Sequence, residues 1–396
     1  MRNLLISIVA TLVCTTATAQ QSIWGTTEII SPEIHPNNTV TFRLMAPEAT
    51  KVEITGDFLP PQIRQTARGE SEAPGVAALT KNENGVWEFT TPSPLAPELY
   101  SYSMILNGVT VADPSNPYTN RDIAAVTNIF IIGGGYADLY KVNDVPHGTV
   151  ARRWYNSPAL GITRRITVYT PPGYEESNTQ YPVFYLLHGA GGDEEAWMAL
   201  GRASQIIDNL IAQGKAKPMI VVMTNGNAGQ KAAPGESDEG MYKPSFMGAT
   251  RMDGAFEEAF PDVMKFVESN YRTLETKAGR AIAGLSMGGF HSYHISKEYP
   301  DKFDYVGLFS AAIREREGVT SAIYSNTDEK LKALFAQNPK LYYIACGITD
   351  GLIQANRDLA QKLDDNKFPY IFIETDGGHI WKNWRIYLSE FAPMLF

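Results

Sequence analysis

Three residue types that cooperate in nucleophilic catalysis occur in the second half of the chain, each shortly after an apolar run. Ser286 stands in GLSMGG, Asp350 in CGITDG and His379 in GGHIW. A serine hydroxyl needs a base to remove its proton, and the base needs a carboxylate that orients it and stabilises its positive form. A G-x-S-x-G match recurs by chance, so it predicts little by itself. Together with the order Ser, Asp, His, it predicts acyl transfer with Ser286 as nucleophile.

The base and the acid are chosen by position. His379 follows the last apolar run, between a glycine pair and Trp381, and is predicted to be the base. The other five histidines lie in less suitable places, namely the N-terminal half, a linker, a glycine-rich turn and the helix after the serine: His35, His147, His188, His291 and His294. Asp350 is the predicted acid because it stands near a strand end, and Asp376 is the next candidate.

Acyl transfer also needs backbone N–H groups that face the developing oxyanion. The N–H of Met287 is one candidate, and the HGAGG turn offers the second, from Gly189 or Ala190. This turn lacks the G-x-G-x-x-G spacing of a dinucleotide site and the lysine of a P-loop. No group of His, Cys, Asp and Glu has metal-ligand spacing. We therefore expect neither a cofactor nor a metal.

These residues require elements that bring them to one edge of a sheet. From about residue 165 onward, apolar runs such as YPVFYLLHG, PMIVVMTNG, RAIAGLS and LYYIACG alternate with segments of helical period. Continuous apolar strands separated by helices predict a parallel sheet covered on both faces, hence an α/β domain. Open parallel sheets bind ligands at the carboxyl ends of their strands, which is where the three candidate residues stand.

The first half of the chain has a different rhythm. Short alternating stretches such as TVTFRLMAP, KVEIT and YSYSMILNG are separated by Pro, Gly and Asn turns. This pattern predicts a small antiparallel β-sandwich. The predicted organisation is a signal peptide over 1–19, a sandwich over 22–135, a linker over 136–150 and an α/β domain over 151–396.

Composition excludes several classes of function. The chain has 396 residues, a formal net charge of −9 and a pI near 5.3, which argues against nucleic acid or an anionic membrane as main partner. The start has Arg2, an apolar stretch and small residues before Gln20, which predicts export to the periplasm or the exterior. Cys14 is preceded by the bulky Val13, which disfavours a lipid anchor. Cys346 is then the one cysteine left after cleavage, and its apolar run predicts a packing role. No further run is long enough to span a membrane.

The α/β half resembles the esterase D-like α/β-hydrolases, specifically carbohydrate esterase family 1, which includes feruloyl esterases and acetyl xylan esterases. The resemblance rests on RRITVYTPPGYE, YPVFYLLHGAGGDEEAW, AIAGLSMGGF, ACGITDG and GGHIWKNWR, and it covers about residues 148–396. It implies an α/β-hydrolase fold with a doubly wound, mostly parallel sheet. By the pattern of that family, Ser286, Asp350 and His379 match the triad.

The N-terminal half resembles the immunoglobulin-like sandwiches of carbohydrate-binding module family 48, through TVTFRLMAPEATKVEITGDF, GVWEFTTP and YSYSMILNGVTVADPSNP. It departs from starch-binding members at the positions of two tryptophans and a lysine. These positions hold other residues here: Leu59, Pro60, Pro61, Ser103, Val109 and Val111. The departures predict packing against the α/β domain rather than α-glucan binding.

The resemblance implies an exported serine esterase that removes hydroxycinnamoyl or acetyl groups from plant cell-wall xylan. Trp381 and Trp197 are predicted to form an aromatic wall that favours a feruloyl group, although packing of both rings under the loops is the alternative. A siderophore esterase is a second hypothesis, opposed by the acidic loops GDEEAW and GESDEGMYK. A non-catalytic glycan-binding protein is the third, opposed by the complete triad. The oligomeric state and the position of the 227–250 loop stay open.

Overall fold

The computed structural model describes residues 29–66, 69–246, 252–314 and 320–396. The predicted signal peptide over 1–19 lies outside the described residues. Within them, no helix is long and apolar enough to cross a membrane.

The N-terminal sandwich consists of two antiparallel sheets and a small hairpin. One sheet has the order β1-β2-β8-β7, the other has the order β11-β12-β9-β3-β6 with β10 paired to β9, and β4 pairs with β5. The strands are β1 (Glu33–Ile34), β2 (Val40–Met45), β3 (Val52–Gly56), β4 (Gln62–Thr66), β5 (Gly69–Ala73), β6 (Gly75–Ala78), β7 (Thr80–Lys81), β8 (Val86–Thr90), β9 (Glu98–Leu106), β10 (Val109–Val111), β11 (Thr119–Asp122) and β12 (Ala125–Ile132). Alternate side chains such as Val52, Ile54 and Met104 fill the core between the sheets.

The α/β domain contains one sheet of eight strands, in the order β13-β14-β16-β15-β17-β18-β19-β20. The strands are β13 (Thr149–Ser157), β14 (Ile162–Thr170), β15 (Val183–Leu187), β16 (Ile220–Thr224), β17 (Arg280–Leu285), β18 (Tyr305–Phe309), β19 (Leu341–Gly347) and β20 (Ile371–Thr375). β13, β14 and β16 pair antiparallel, and from β16 to β20 all neighbours are parallel. The predicted mostly parallel sheet is confirmed.

Helices cover both faces of this sheet. They are α1 (Ala137–Tyr140), α2 (Ala196–Ala199), α3 (Ala203–Ala212), α4 (Ala255–Asn270), α5 (Met287–Glu298), α6 (Thr327–Ala336), α7 (Ile353–Asp365) and α8 (Trp381–Phe391), with 3-10 turns at Lys277–Gly279, Ala322–Tyr324 and Ala392–Met394. One hydrophobic core lies on each face of the sheet, and successive side chains of β15 point into them alternately. Val183 and Tyr185 pack with α4, whereas Phe184 and Leu186 pack with α3 and α8. All five strand residues are buried, which explains their unbroken apolar sequence.

The sheet changes winding direction beside β15. The chain passes from β15 to β16 on one side and then crosses to β17 on the other side. Ligands bind in the crevice at such a switch point, outside the carboxyl ends of the strands. Here the ends of β15 and β17 lead directly into the HGAGG turn and into Ser286, so the fold places both at this crevice.

The sandwich is docked on the α/β domain through apolar and charged contacts. Leu99 of β9 is buried in the same core cluster as α3 and α8. Arg385 of α8 donates to Glu98 of β9 at 2.9 Å, and both side chains are buried. The segment 136–150, predicted to be a linker, forms α1 with Leu139 and Tyr140 buried on α3, and its end lies in β13. The two halves are therefore joined by a packed interface.

Candidate active site

Ser286 stands in the turn between β17 and α5, with φ 52° and ψ −112°. A non-glycine residue at positive φ costs about 1–3 kcal/mol and persists only where its surroundings hold it. Two backbone hydrogen bonds do so: the Ser286 N–H donates to Phe309 at 2.8 Å, and the Ser286 carbonyl accepts from Ala312 at 3.0 Å. Gly288 lies so close to the backbone of Leu187 that a Cβ would overlap its carbonyl oxygen. This strained turn places Ser286 at the wall of a cavity.

His379 and Asp350 form a hydrogen-bonded pair beside this cavity, with 2.8 Å between His379 Nδ1 and Asp350 Oδ2. An ionised carboxylate only accepts, so Nδ1 carries the proton and Nε2 is left to act as base. Burial alone would raise the pKa of Asp350, but the hydrogen bond and the charge of His379, with the Leu352 N–H, lower it below its ordinary value. Asp350 therefore stays ionised.

Two residues that the sequence did not single out, Ser310 and Trp384, support this pair together with Cys346. Ser310, the residue after β18, hydrogen-bonds the side chains of Asp350 and Cys346, and its Oγ accepts from Trp384 Nε1 at 3.2 Å. The Trp384 ring packs edge-to-face on His379 with 4.9 Å between the centroids. Cys346 is buried as predicted, and burial raises the pKa of its thiol to about 12. Asp350 and His379 are thus held by one polar cluster that includes the buried Ser310, Cys346 and Trp384.

The HGAGG turn after β15 is held by its own histidine. His188 Nε2 accepts from the Gly226 N–H at 2.8 Å, so Nδ1 carries the proton and donates to the Gly189 carbonyl at 2.7 Å. Burial lowers the pKa of His188 to about 4, so the ring stays neutral. Gly189 lies against Ser286, and both Gly189 and Ala190 line the cavity.

Met287 is the first residue of α5, where a backbone N–H has no acceptor within the helix. The Met287 N–H and the HGAGG turn, the two predicted sources of oxyanion donors, therefore both lie next to Ser286.

The acidic residues that follow this turn are each paired with an arginine from a different element. The shortest ion pairs are Asp193 with Arg121 of β11 at 2.5 Å, Glu194 with Arg165 of β14 at 2.7 Å, and Glu195 with Arg152 of β13 at 2.6 Å. Arg165 also contacts Glu236. Within each pair the opposite charges neutralise each other, and together the pairs attach the turn to both domains.

The cavity beside Ser286 has a volume of about 410 Å³, and residues of both domains line it. From the sandwich come Arg121, Asp122 and Ile123, and from α8 comes Trp381. Trp381 is half-buried, as expected for a substrate-facing ring. Trp197 is not placed as predicted: it is 1% exposed, donates to the Leu187 carbonyl and packs edge-to-face beneath Trp381. It supports the wall without forming its surface.

The other candidate acid, Asp376, and the histidines of α5 do not take part in the His379–Asp350 pair. Asp376 is exposed, and Glu374 pairs with Arg357 at 2.7 Å. His291 is fully buried against Glu257, 2.6 Å away. His294 lies 3.1 Å from the Ile323 carbonyl, and burial lowers its pKa to about 2. Within the described ranges, no group of three His, Cys, Asp or Glu side chains could hold a metal ion.

Comparison with known families accounts for both halves. The Esterase family model, described as "Putative esterase", matches residues 157–395, which is more than half of the chain. The chain belongs to this esterase family. The carbohydrate-binding module 48 model, described as the isoamylase N-terminal domain, matches residues 31–118 of the sandwich.

Several curated relatives are similar to this esterase. An endo-1,4-beta-xylanase/feruloyl esterase of Xylanibacter ruminicola is 28% identical over 371 residues, or 92% of this chain and 46% of the relative. Esterase Rv1288 of Mycobacterium tuberculosis is 32% identical over 212 residues, or 52% of this chain and 40% of the relative. The chain thus spans less than half the length of these relatives.

Solved structures share the fold of the esterase. A CE1 ferulic acid esterase from Anaeromyces mucronatus matches with a TM-score of 0.52 and 25% identity, covering 64% of this chain and 93% of that one. The enterobactin esterase of Shigella flexneri matches with a TM-score of 0.61 over 90% of this chain and 92% of that one. At 18% identity this second likeness shows the fold alone.

Proposed function

We propose that the chain is a serine carboxylesterase, exported to the periplasm or the exterior, that hydrolyses feruloyl or acetyl esters on plant cell-wall xylan. The observation that carries the proposal is the 2.8 Å pair of His379 and Asp350 beside the cavity that Ser286 lines. The family match and the names of the feruloyl esterase relatives support the choice of substrate.

The reaction proceeds through an acyl-enzyme. Ser286 Oγ attacks the ester carbonyl carbon while His379 Nε2 takes its proton. The N–H groups of Met287 and of Ala190 or Gly189 bind the oxyanion of the tetrahedral intermediate. His379 then gives the proton to the leaving sugar oxygen, and the C–O bond breaks. Water, deprotonated by His379 Nε2, attacks the acyl carbon; the bond to Ser286 Oγ then breaks, His379 returns the proton to Oγ, and the acid is released.

The charges of the cavity favour an uncharged ester. Each arginine that lines the described cavity is ion-paired with a carboxylate, so none is left to neutralise an anionic substrate. A siderophore catecholate complex is anionic and gains little in such a pocket. A feruloyl ring gains stacking on Trp381, worth about 0.5–1.5 kcal/mol beyond burial. These features support a xylan ester over a siderophore ester.

Product analysis on arabinoxylan tests the proposal. Wild-type protein is incubated with feruloylated and acetylated arabinoxylan, and released ferulic and acetic acid are separated by chromatography. We expect release of at least one acid by the wild type and almost none by Ser286→Ala. This substitution removes the nucleophile but few packing contacts. Hydrolysis of 4-nitrophenyl acetate in parallel separates an esterase of other specificity from a non-catalytic glycan-binding protein. Equal release by wild type and Ser286→Ala contradicts the mechanism.

A further inference from the structure

The turn of the β11–β12 hairpin in the sandwich reaches the catalytic crevice of the other domain. We call residues Arg121–Ile123 the hairpin tip. All three line the cavity that Ser286 and His379 also line. The hairpin closes with a two-residue turn, Ile123-Ala124, since Asp122 pairs with Ala125. Sugar binding on a surface away from the crevice would not require side chains of the sandwich in this cavity.

Arg121 joins the tip to the turn that follows β15. Its guanidinium donates to Asp193 Oδ2 at 2.5 Å, and Asp193 is 3% exposed. A second nitrogen of Arg121 donates to the Ile123 carbonyl at 2.9 Å, which fixes the guanidinium relative to the hairpin. Asp193 in turn accepts from the Glu195 N–H at 3.0 Å. Since the pair is charge-assisted and Asp193 is buried, removal of Arg121 leaves a buried carboxylate without its cation.

Ile123 has φ 53°, a left-handed conformation that is unfavourable for a β-branched residue. A two-residue hairpin with such a φ normally has glycine or asparagine at this position. The isoleucine side chain packs on Gly191 so closely that a Cβ there would lie 2.8 Å from Ile123 Cγ1. Gly191 belongs to the HGAGG turn. The strained residue of the tip therefore covers the same turn that Arg121 holds by charge.

A third contact joins the tip to α8. The Asp122 carboxylate hydrogen-bonds the Trp381 side chain. The tip thus contacts two borders of the cavity: the HGAGG turn and the start of the helix that follows His379.

We propose that the hairpin tip of the sandwich positions the HGAGG turn for oxyanion binding, with Arg121 as the principal positioning residue acting through Asp193. The inference rests on the proposed esterase function. It gives the sandwich a part in the chemical step, beyond packing and beyond carbohydrate binding.

The physical consequence is selective for the transition state. The N–H groups of Gly189 and Ala190 bind an oxygen whose negative charge develops only during the reaction. A turn that has lost its support aligns these donors poorly, which raises the barrier without weakening ground-state binding. Loss of one oxyanion donor lowers kcat by about 10²–10³, so a displaced donor should lower it less, by about tenfold. KM should change by less than about twofold.

The test compares kcat and KM of Arg121→Ala with those of two other variants, on both methyl ferulate and 4-nitrophenyl acetate. Arg121→Lys keeps the charge but makes only one of the two contacts, so kcat should fall by only about threefold. Arg43→Ala is the matched control, because Arg43 is another sandwich arginine, paired with Glu33 and Glu88 on the sheet that lacks the tip. It should leave kcat and KM unchanged for both esters. Near-UV circular dichroism establishes that each variant is folded.

A double variant shows whether Arg121 acts through Asp193. It is measured beside the single variant Asp193→Asn. The double variant Arg121→Ala/Asp193→Asn should have a kcat no lower than that of the less active single variant, because both changes break the same contact. A kcat of Arg121→Ala equal to wild type, a loss confined to KM, or additive losses in the double variant would each overturn the inference while leaving the esterase proposal intact. Absence of hydrolysis by the wild type would instead overturn the esterase proposal and this inference with it.

Discussion

At the residue scale, Asp350 and His379 could be predicted as acid and base from the sequence because each stands shortly after an apolar strand. Ser310 also follows a strand, but it could not be found in the same way. Its role depends on Trp384, which lies 74 residues later in α8. A serine after a strand is common, and no spacing in the sequence predicts which distant indole reaches it. Supporting residues of this kind become visible only when the helices are packed.

The choice of acid makes a first prediction. Asp350→Asn should lower kcat by about 10⁴-fold, because the amide no longer accepts from Nδ1–H and the imidazole adopts the wrong tautomer. Asp376→Asn should change kcat by less than about threefold, since Asp376 is exposed. Both variants are assayed with 4-nitrophenyl acetate. Equal losses would show that the 2.8 Å contact with Asp350 is not the one that orients His379.

Trp381 makes a second prediction at this scale, on the choice of acyl group. Trp381→Ala should lower kcat/KM for methyl ferulate about tenfold, which corresponds to roughly 1.4 kcal/mol of lost stacking, and change hydrolysis of 4-nitrophenyl acetate much less. Trp154→Ala is the matched control, because Trp154 is an exposed tryptophan of β13 outside the residues that line the cavity. A parallel loss on both esters would mean that Trp381 supports His379 through Trp384, its edge-to-face neighbour.

At the element scale, the strands and helices of the α/β half follow the sequence closely. The helical segments predicted between the apolar runs are observed, for example at Ala255–Asn270 and Ile353–Asp365. The hairpin tip is different, because isoleucine at positive φ opposes its own conformational preference. Contacts with another domain hold it there. Local sequence rules describe local preference, so they miss an element whose conformation is imposed by a distant surface.

Helix α5 makes the third prediction, because almost all of its residues are buried and a lysine is among them. Lys297 is 1% exposed, its Nζ has no hydrogen-bond partner in the described part of the chain, and it lies 3.7 Å from the centre of the Tyr293 ring. Burial lowers the pKa of Lys297 to about 7. Between this value and the ordinary pKa near 10.5, the unfolded chain binds more protons than the folded one. The free energy of unfolding therefore rises with pH in that window.

Lys297→Met removes this charge and keeps the apolar stem, so it should raise the Tm at pH 6 by at least about 2–4 °C, the shift that about 1 kcal/mol produces in a domain of this size. The gain should shrink as the pH approaches 10, where the unfolded lysine also loses its proton. Calorimetry at pH 6, 8 and 10 measures both effects. Lys332→Met, a change at an exposed lysine of α6, is the control. A gain in Tm that does not vary with pH would contradict the lowered pKa of Lys297 in the folded protein.

At the scale of the whole molecule, the sequence predicted two domains but not how closely they cooperate. Ion pairs such as Arg385 with Glu98 join residues almost 300 positions apart and have no signature in the sequence. The resemblance to a carbohydrate-binding module also suggests that the sandwich binds sugar, whereas the structure places the hairpin tip against the HGAGG turn. The function of the sandwich must therefore be judged from its surface, position by position.

The surface of the sandwich argues against α-glucan binding, which makes the last prediction. Trp87 donates to the Ala46 carbonyl and is 8% exposed, so its face cannot stack on a sugar ring. Ser103, where starch-binding relatives of this module family carry a lysine, is buried, and Val109 is exposed but offers no ring. Tyr118 is exposed, yet it lines a groove shared with Arg202 of the α/β domain.

The full chain should therefore migrate in a glycogen-containing native gel as an inert control protein does, because stacking of aromatic faces on sugar rings is the main source of such affinity. Tyr118→Ala should migrate in the same way. Clear retardation of the wild type would show that the sandwich binds α-glucan by another surface. If Tyr118→Ala abolished that retardation, the groove beside Arg202 would be the binding site.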